Sequence, residues 1–338
     1  MFVHGIGAKP DVEEARRRWT DALVRGVVRA GHSGVAAMLQ DSVSVEVEVV
    51  FAYYGDLFEA PGAQGEIGAP PDAERDLLLR DLLLELVDLQ LAEVDPAGNP
   101  PRSPGSPDVE QLRHARDQLA AGGAAQGAGN LGRQALNAAT ALLAFGPLRR
   151  TGQWVSAKLL IRDLSQVARY LNRGEPDADG RGIDERIRAR VREAVDDRPA
   201  VIVAHSLGSV VAYECLHDPG VQAPVPLLVT IGSPLALHTV VWPRLRPRPP
   251  RTPDRVERWL NFWDRDDLIV ARPRLEECFG ANAHGVSALS DRVDSDGLWV
   301  HTATKYLDKA GVAGPIAEAL SRLAGSVPAP RIGGAAPL

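Results

Sequence analysis

Two kinds of apolar pattern alternate along the chain. Short and nearly continuous apolar runs occupy residues 199–204, 226–232 and 258–263, and they are rich in β-branched and aromatic residues. Runs of this kind are typical of strands that are covered on both faces, and the stretches between them are long enough for helical crossovers. The pattern therefore predicts a parallel sheet with helices packed on it.

The N-terminal part adds two strand candidates and one helix. FVHG at residues 2–5 reads as the end of a strand that starts at the first residue. Such a strand is short against the usual length of about five residues, which raises the question whether residues precede Met1. Residues 11–31 carry apolar side chains at helical spacing, with acidic residues first and arginines after them. Residues 43–54 begin with alternating apolar and polar positions, which predicts a strand.

Residues 57–180 have a different, helical character. Two stretches rich in Pro and Gly bracket a leucine-dense helix whose apolar face is wider than one packing contact needs. Further helical runs follow at about 108–121, 134–147 and 153–172, and a short helix begins at Ile183. We therefore expect a helical insertion at 57–180 within an α/β core made of residues 1–56 and 181–325. The last residues, 326–338, are expected to be a flexible tail.

Composition and charge exclude several classes of protein. The 44 acidic residues outnumber the 38 Lys and Arg residues, for a formal net charge of -6, so the sequence does not predict a nucleic-acid-binding protein. Cys215 and Cys278 belong to no Cys/His cluster, which predicts neither a zinc site nor a disulfide framework and fits the cytoplasm. No run of about 18 uncharged apolar residues is present, and the first ten residues do not read as a secretory leader. We expect a protein that is neither exported nor membrane-spanning.

The strongest chemical signal is a serine held between small residues. The run Ala204-His205-Ser206-Leu207-Gly208 follows an apolar strand and precedes a helix-capable stretch. A sharp turn from strand to helix strains the corner residue and lifts its side chain clear of the sheet, and it requires small residues two positions to either side. Ala204 and Gly208 meet this requirement, so Ser206 is a candidate nucleophile.

In this context the chain resembles the α/β-hydrolase superfamily, in particular its lipase-like and esterase-like members. Their nucleophile turn usually reads Gly-His-Ser-Leu-Gly, and Ala204 replaces the first glycine here. The resemblance also covers FVHGIG, LLVTIGSPL, WLNFWDRDDLIV and VHTATKYL, in the family's chain order, but not the insertion. It implies an α/β-hydrolase fold: a mostly parallel central sheet, helices on both faces and a large helical cap formed by the insertion.

The family's chain order places the nucleophile first, the acid second and the histidine last. An imidazole can take and return a proton near neutral pH, so a histidine is the expected base. His205 adjoins the serine, and five of the other histidines lie before the serine or too soon after it, which leaves His284 and His301. We favour His301 over His284, because His301 lies where a last strand is expected to end before a last helix.

Three acids follow the strand at 258–263 closely enough to orient that histidine. Asp264, Asp266 and Asp267 all qualify by position. The family resemblance favours Asp267, which directly precedes an apolar pair. The other two are then expected to be solvated loop acids.

Two backbone N–H groups are expected to hold the oxyanion of a tetrahedral intermediate. One belongs to Leu207 at the start of the helix after the serine. The other, by family resemblance, belongs to Ile6, with Gly5 and Gly7 allowing the backbone to approach. The sequence contains neither GxGxxG nor GxxxxGK[ST], which disfavours a phosphate-binding interpretation of this glycine-rich loop.

These features predict a serine hydrolase that cleaves a carboxylic ester through an acyl-enzyme, without a metal or an organic cofactor. The leucine-rich insertion favours a lipid or another apolar acyl group, with peripheral membrane contact through the cap, and the resemblance extends loosely to inositol-deacylase lipases. Two alternatives stay open: a peptidase or thioesterase on the same fold, and a non-catalytic binding or effector module. The sequence carries no signal for an oligomeric state.

Overall fold

The computed structural model describes residues 1–5, 11–40, 47–59, 73–94, 107–121, 128–144, 157–270, 274–294 and 301–326. Within these residues six strands form one sheet, in which every neighbouring pair is parallel and the order is β2-β1-β3-β4-β5-β6. The strands are β1 Phe2–Val3, β2 Phe51–Ala52, β3 Val201–His205, β4 Leu227–Ile231, β5 Trp259–Trp263 and β6 Ala288–Arg292. The predicted α/β class with a parallel sheet is confirmed.

The central strands are buried on both faces, as their continuous apolar pattern predicts. Every residue of β3 and β4 is buried, and their register pairs Val203 with Val229. Successive side chains of β3 point to opposite faces: Val201 and Val203 join one apolar cluster, and Ile202 and Ala204 join the other.

The outer strands depart from the sequence prediction. Of the strand expected at 43–54, only Phe51 and Ala52 pair with the sheet, residues 47–50 have no regular structure, and 41–46 lie outside the described residues. A last strand was expected to end just before His301, but residues 295–300 lie outside the described residues. Strand β6 lies earlier, at a position that was not predicted, because ALSDR has one buried residue and its Leu289 is 57% exposed. It pairs only with β5 among the described strands, so it lacks the apolar run of a central strand.

Ten α-helices accompany the sheet within the described residues. They are α1 Val12–Arg29, α2 Ser33–Gln40, α3 Ala73–Val94, α4 Pro107–Ala121, α5 Ala128–Ala144, α6 Ala157–Asn172, α7 Ile183–Glu193, α8 Leu207–Leu216, α9 Ala303–Leu307 and α10 Ala310–Ser326. Helices α1, α2, α9 and α10 contribute to the cluster on one face, and α7, α8 and the insertion helices contribute to the cluster on the other. Helices therefore cover both faces of the sheet, as expected.

The last helix, which was expected to follow His301, is divided into α9 and α10. Asp308 lies at the division, where its carboxylate is paired with Arg25 and Arg29 of α1 and its carbonyl accepts a hydrogen bond from Arg29 (2.8 Å). These contacts fix the turn against α1. Ser326, expected in the flexible tail, is the last residue of α10, and residues 327–338 lie outside the described residues.

The helices within residues 57–180, the predicted insertion, pack on one another. Helix α3 contacts α4, α5 and α6, and α5 contacts α4 and α6, so the four form a bundle. The buried leucines of α3 belong to the same apolar cluster as α7 and α8. Arg169 of α6 donates to the carbonyl of Phe58 (3.0 Å), which brings the two ends of the insertion side by side.

A buried ionic cluster joins the end of the insertion to the core. Arg173 contacts Glu214 (2.7 Å) and Asp184 (2.8 Å), and Arg188 contacts the same two carboxylates at 3.0 and 2.8 Å. Tyr170 donates its hydroxyl to Glu214 (2.7 Å). The cluster links α6 to α7 and to α8, which is the helix that follows Ser206.

Candidate active site

Ser206 occupies a strained corner between β3 and α8. Its backbone has φ 53° and ψ −130°, a region that residues with a Cβ rarely adopt. Gly208 must be small because a Cβ there would lie 2.4 Å from the carbonyl oxygen of His4 and 2.6 Å from that of Val3. Ala204 is fully buried beneath the turn. The sequence predicted this geometry from the small residues around the serine.

The structure brings Ser206, His301 and Asp267 into one hydrogen-bonded row. Ser206 Oγ lies 2.9 Å from His301 Nε2, and His301 Nδ1 lies 2.9 Å from each carboxylate oxygen of Asp267. All three side chains are buried, and Ser206 is 0% exposed. The three residues come from the ends of β3 and β5 and from the start of α9, at the edge of the sheet where ligands of parallel α/β folds bind.

The hydrogen-bond partners fix which nitrogen of His301 carries the proton. The carboxylate of Asp267 can only accept, so Nδ1 is protonated and donates to it. In neutral His301 the Nε2 atom is then a bare acceptor, and the hydroxyl of Ser206 donates to it. This is the state in which an imidazole can remove the serine proton.

A second histidine holds the backbone of the first. His205 Nε2 lies 2.7 Å from the carbonyl oxygen of His301, which only accepts, so His205 donates. Burial, with the neighbouring His301 and His4, lowers the pKa of His205 well below its usual value, which keeps this ring neutral. Burial also lowers the pKa of His4, to about 4. The sequence placed His205 beside the serine but did not predict its contact with His301.

The other acids and the other histidine are in different environments. Asp264 accepts a hydrogen bond from the N–H of Asp266 (2.9 Å) and is 2% exposed, so the expectation that it is a solvated loop acid is wrong. Its burial follows from a turn in which the N–H of Asp267 also bonds to the carbonyl of Asp264 (3.1 Å). Asp266 is partly exposed. His284 is exposed, and its backbone N–H binds Asn282 rather than any group of the serine site.

Gly232 and Tyr306 contact the site but were not predicted. Gly232 follows β4 with φ +55°, and a Cβ there would lie 3.0 Å from Asp267 Oδ2 and 3.2 Å from His301 Nδ1. Tyr306 donates its hydroxyl to Asp267 Oδ2 (2.7 Å). A glycine directly after an apolar strand was the signal available for Gly232. No sequence signal pointed to Tyr306, because a tyrosine in a helix is most often a packing residue.

The two expected oxyanion donors have different outcomes. Leu207 is the first residue of α8, so its N–H is among those that have no carbonyl partner within the helix. Ile6 and Gly7 lie outside the described residues. Gly5 lies against the serine turn, where a Cβ would meet the carbonyl oxygen of His205 at 2.7 Å and Ser206 Cβ at 2.8 Å. The chain after β1 therefore packs directly against the candidate nucleophile at Gly5.

The described residues contain no group of three or more His, Cys, Asp or Glu side chains that could hold a metal ion. Among the described helices, none combines the length and the apolar character that crossing a bilayer would require.

Comparison with known proteins gives no match. No protein-family model matches this chain, and neither the curated proteins nor the solved structures include one that does.

Proposed function

We propose that this protein is a serine hydrolase with an α/β-hydrolase fold, which cleaves carboxylic esters through an acyl-enzyme. The observation that carries the proposal is the buried row Ser206–His301–Asp267, with 2.9 Å at each step. The strained backbone of Ser206 and the parallel sheet support the same assignment. Nothing in the proposed reaction requires a metal or an organic cofactor.

Acylation begins when His301 Nε2 removes the hydroxyl proton of Ser206. The serine oxygen attacks the ester carbonyl carbon, and the carbonyl oxygen becomes an oxyanion that the N–H groups of Leu207 and Ile6 are proposed to hold. The C–O bond to the alcohol then breaks, and His301 returns its proton to the leaving alkoxide. Asp267 stabilises the imidazolium that exists between the two transfers.

Deacylation repeats these steps with water as the nucleophile. His301 takes a proton from water, the resulting hydroxide attacks the acyl carbon, and the proton returns to Ser206 as the acid leaves. The products are one alcohol and one carboxylic acid, so the balance requires no other reactant.

The proposed substrate carries an apolar acyl group. The support comes from the chain next to the site, where buried Leu235, Ala236 and Leu237 follow Gly232, and buried Leu268 and Ile269 follow Asp267. These residues belong to the same apolar cluster as Leu78, Leu82, Leu83 and Leu86 of α3, and what connects them to the site is their place in the chain beside Gly232 and Asp267.

The insertion is proposed to act as a cap. Glu85 of α3 accepts the N–H of Thr239 with both carboxylate oxygens (3.1 Å each), so the bundle is attached to the segment after β4. Because Ser206 is fully buried, an ester can reach it only after part of the surrounding structure moves. Peripheral contact of the cap with a lipid surface would favour that movement. Cys215 and Cys278 form no disulfide, which fits the proposed cytoplasmic location.

A covalent probe tests the proposal directly. We expect a small fluorophosphate to label wild-type protein and not Ser206→Ala, with faster labelling in the presence of micelles. Ser209→Ala is the matched control, because Ser209 is equally buried but donates to the carbonyl of Ala204 (3.1 Å). It should keep its reactivity. Folded wild type that stays unlabelled with and without micelles would contradict catalysis and favour the binding-module alternative.

Hydrolysis rates show whether the protein prefers an ester, an amide or a thioester bond. We expect p-nitrophenyl esters to be cleaved faster as the acyl chain lengthens, and the matching anilide to be cleaved poorly. Faster cleavage of the anilide or of a matched thioester would favour the peptidase or the thioesterase alternative. Equal rates for short and long chains would contradict the apolar acyl group.

A further inference from the structure

Asp267 accepts a hydrogen bond from a residue that has no role in the proposed mechanism. Tyr306, on α9 five residues after His301, places its hydroxyl 2.7 Å from Asp267 Oδ2. The same hydroxyl oxygen lies 3.1 Å from the backbone nitrogen of Asp264. Tyr306 thus connects the helix that follows the base to the loop that carries the acid.

The direction of both hydrogen bonds follows from the groups involved. The N–H of Asp264 can only donate, so the hydroxyl oxygen of Tyr306 accepts there. The single hydroxyl proton is then directed at Asp267, whose carboxylate can only accept. Burial and the charge of Asp267 raise the pKa of Tyr306 well above its usual value, so the phenol remains a donor at any working pH.

Tyr306 completes a ring of donors around the carboxylate. Asp267 Oδ1 accepts the N–H of Ile269 (3.1 Å), Oδ2 accepts the hydroxyl of Tyr306, and both oxygens face His301 Nδ1. A carboxylate held by three donors cannot rotate away from the imidazole without losing a bond. Small misplacements of a reacting group are costly, so this constraint affects the rate as well as the fold.

We propose that Tyr306 is a positioning residue, which acts through Asp267 to hold His301 in line with Ser206. This inference rests on the proposed hydrolase function. It assigns Tyr306 a role beyond filling the apolar core, in which its ring is fully buried.

Tyr306→Phe tests the inference, with Tyr213→Phe as its matched control. Tyr213 is also fully buried, and its hydroxyl likewise accepts a backbone N–H, that of Arg251 (3.2 Å), but it contacts no residue of the row. Both variants should lose similar thermal stability. Only Tyr306→Phe should lose fluorophosphate reactivity, by about 10- to 100-fold, as when the partners that orient metal ligands are removed.

The pH dependence of labelling distinguishes a positioning role of Tyr306 from a role in packing alone. Without the phenol, Asp267 carries more unshared negative charge and stabilises the imidazolium more strongly, so the acidic limb of the profile should move to higher pH. The other titratable groups around the pair are Asp264, Asp266 and His205, and Arg292 acts on the two aspartates; all four are the same in every variant. If Tyr306→Phe does not fold, 3-fluorotyrosine at 306 replaces it; this stronger donor should move the limb to lower pH.

The outcomes distinguish a failure of this inference from a failure of the proposed function. A wild type that labels, together with a Tyr306→Phe variant that labels as fast as Tyr213→Phe with an unmoved limb, overturns the inference and leaves the hydrolase standing. With 3-fluorotyrosine, an unmoved limb has the same meaning. A wild type that never labels overturns the proposed function and this inference with it.

Discussion

Gly232 lies directly against His301. A Cβ on Gly232 would be 3.2 Å from His301 Nδ1 and 3.3 Å from Cε1, and 3.0 Å from Asp267 Oδ2. The backbone at 232 also has φ +55°, a conformation that favours glycine. The chain after β4 therefore packs against the His301–Asp267 pair at a distance that leaves no room for a side chain.

Gly232→Ala should impair the site more than the fold. The added methyl must push apart groups that are hydrogen-bonded to each other, and displacements of about 1 Å at a reacting group can reduce a rate about 100-fold. The left-handed backbone adds a strain of about 1–2 kcal/mol. Fluorophosphate labelling rates and thermal denaturation measure the two effects.

Gly34→Ala is the control for that substitution. Gly34 lies within α2, and a Cβ there meets nothing within 4 Å. Alanine is favoured over glycine in a helix by about 1 kcal/mol, so the variant should be slightly more stable and fully reactive. Equal reactivity of the two variants would contradict the role given to Gly232.

Asp267→Asn should identify the acid. An asparagine can present an N–H to His301 Nδ1, which would favour the wrong tautomer, and reactivity should fall about 1,000-fold or more. Asp266→Asn, on the same turn but outside the row, should react at nearly the wild-type rate. If kcat/KM for ester hydrolysis falls more in Asp266→Asn than in Asp267→Asn, the assignment of Asp267 as the acid is wrong.

Glu214→Gln should destabilise the junction between the insertion and the core. Glu214 faces both Arg173 and Arg188 in a buried cluster, so the change leaves positive charge poorly compensated, at a cost of about 3 kcal/mol. Glu13→Gln removes an exposed partner of Arg16 and should change the free energy of unfolding by less than about 1 kcal/mol. Denaturant titration compares them, and similar losses would show that the cluster contributes little.

Stability should fall as the pH is lowered from 6.5 towards 5. Burial lowers the pKa of His4 to about 4, so the unfolded chain binds a proton in this range while the folded protein does not. The contribution is fully present above the unfolded pKa of about 6.5, and about 2 kcal/mol of it is lost by pH 5. The lowered pKa of His205 acts in the same direction.

His4→Phe removes one of these titrating groups. Urea denaturation across the same pH range should then give a shallower fall in the free energy of unfolding than wild type. His284→Gln, at an exposed position, should leave the slope unchanged. A slope that His4→Phe does not alter would mean that His4 is protonated in the folded protein.

Local chemistry made part of the site predictable. Ser206 is marked by its small neighbours and by the change from a strand pattern to a helix pattern. The resemblance to the α/β-hydrolase superfamily then pointed to His301 and Asp267. The distances among the three could not be predicted, because they depend on strand register and on where loops end. Gly232 and Tyr306 contribute through close approach and one hydrogen bond, for which a single sequence gives little signal.

The same reasoning explains where the fold predicted from the sequence was wrong. Strands β3, β4 and β5 were found because burial on both faces leaves a continuous apolar run. Strand β6 pairs with β5 alone and is largely exposed, so its sequence resembles a loop. The division between α9 and α10 depends on Arg25 and Arg29, more than 270 residues away, and no local pattern reports such a contact.

The bond between Arg169 and the carbonyl of Phe58 has an evolutionary consequence. A chain excursion whose ends meet can lengthen, shorten or be exchanged for another without pulling on the strands from which it departs. Selection could thus reshape the bundle while the serine, the imidazole and the carboxylate stay in place. Relatives of this protein should accordingly differ most in this region and least at Ser206, His301 and Asp267.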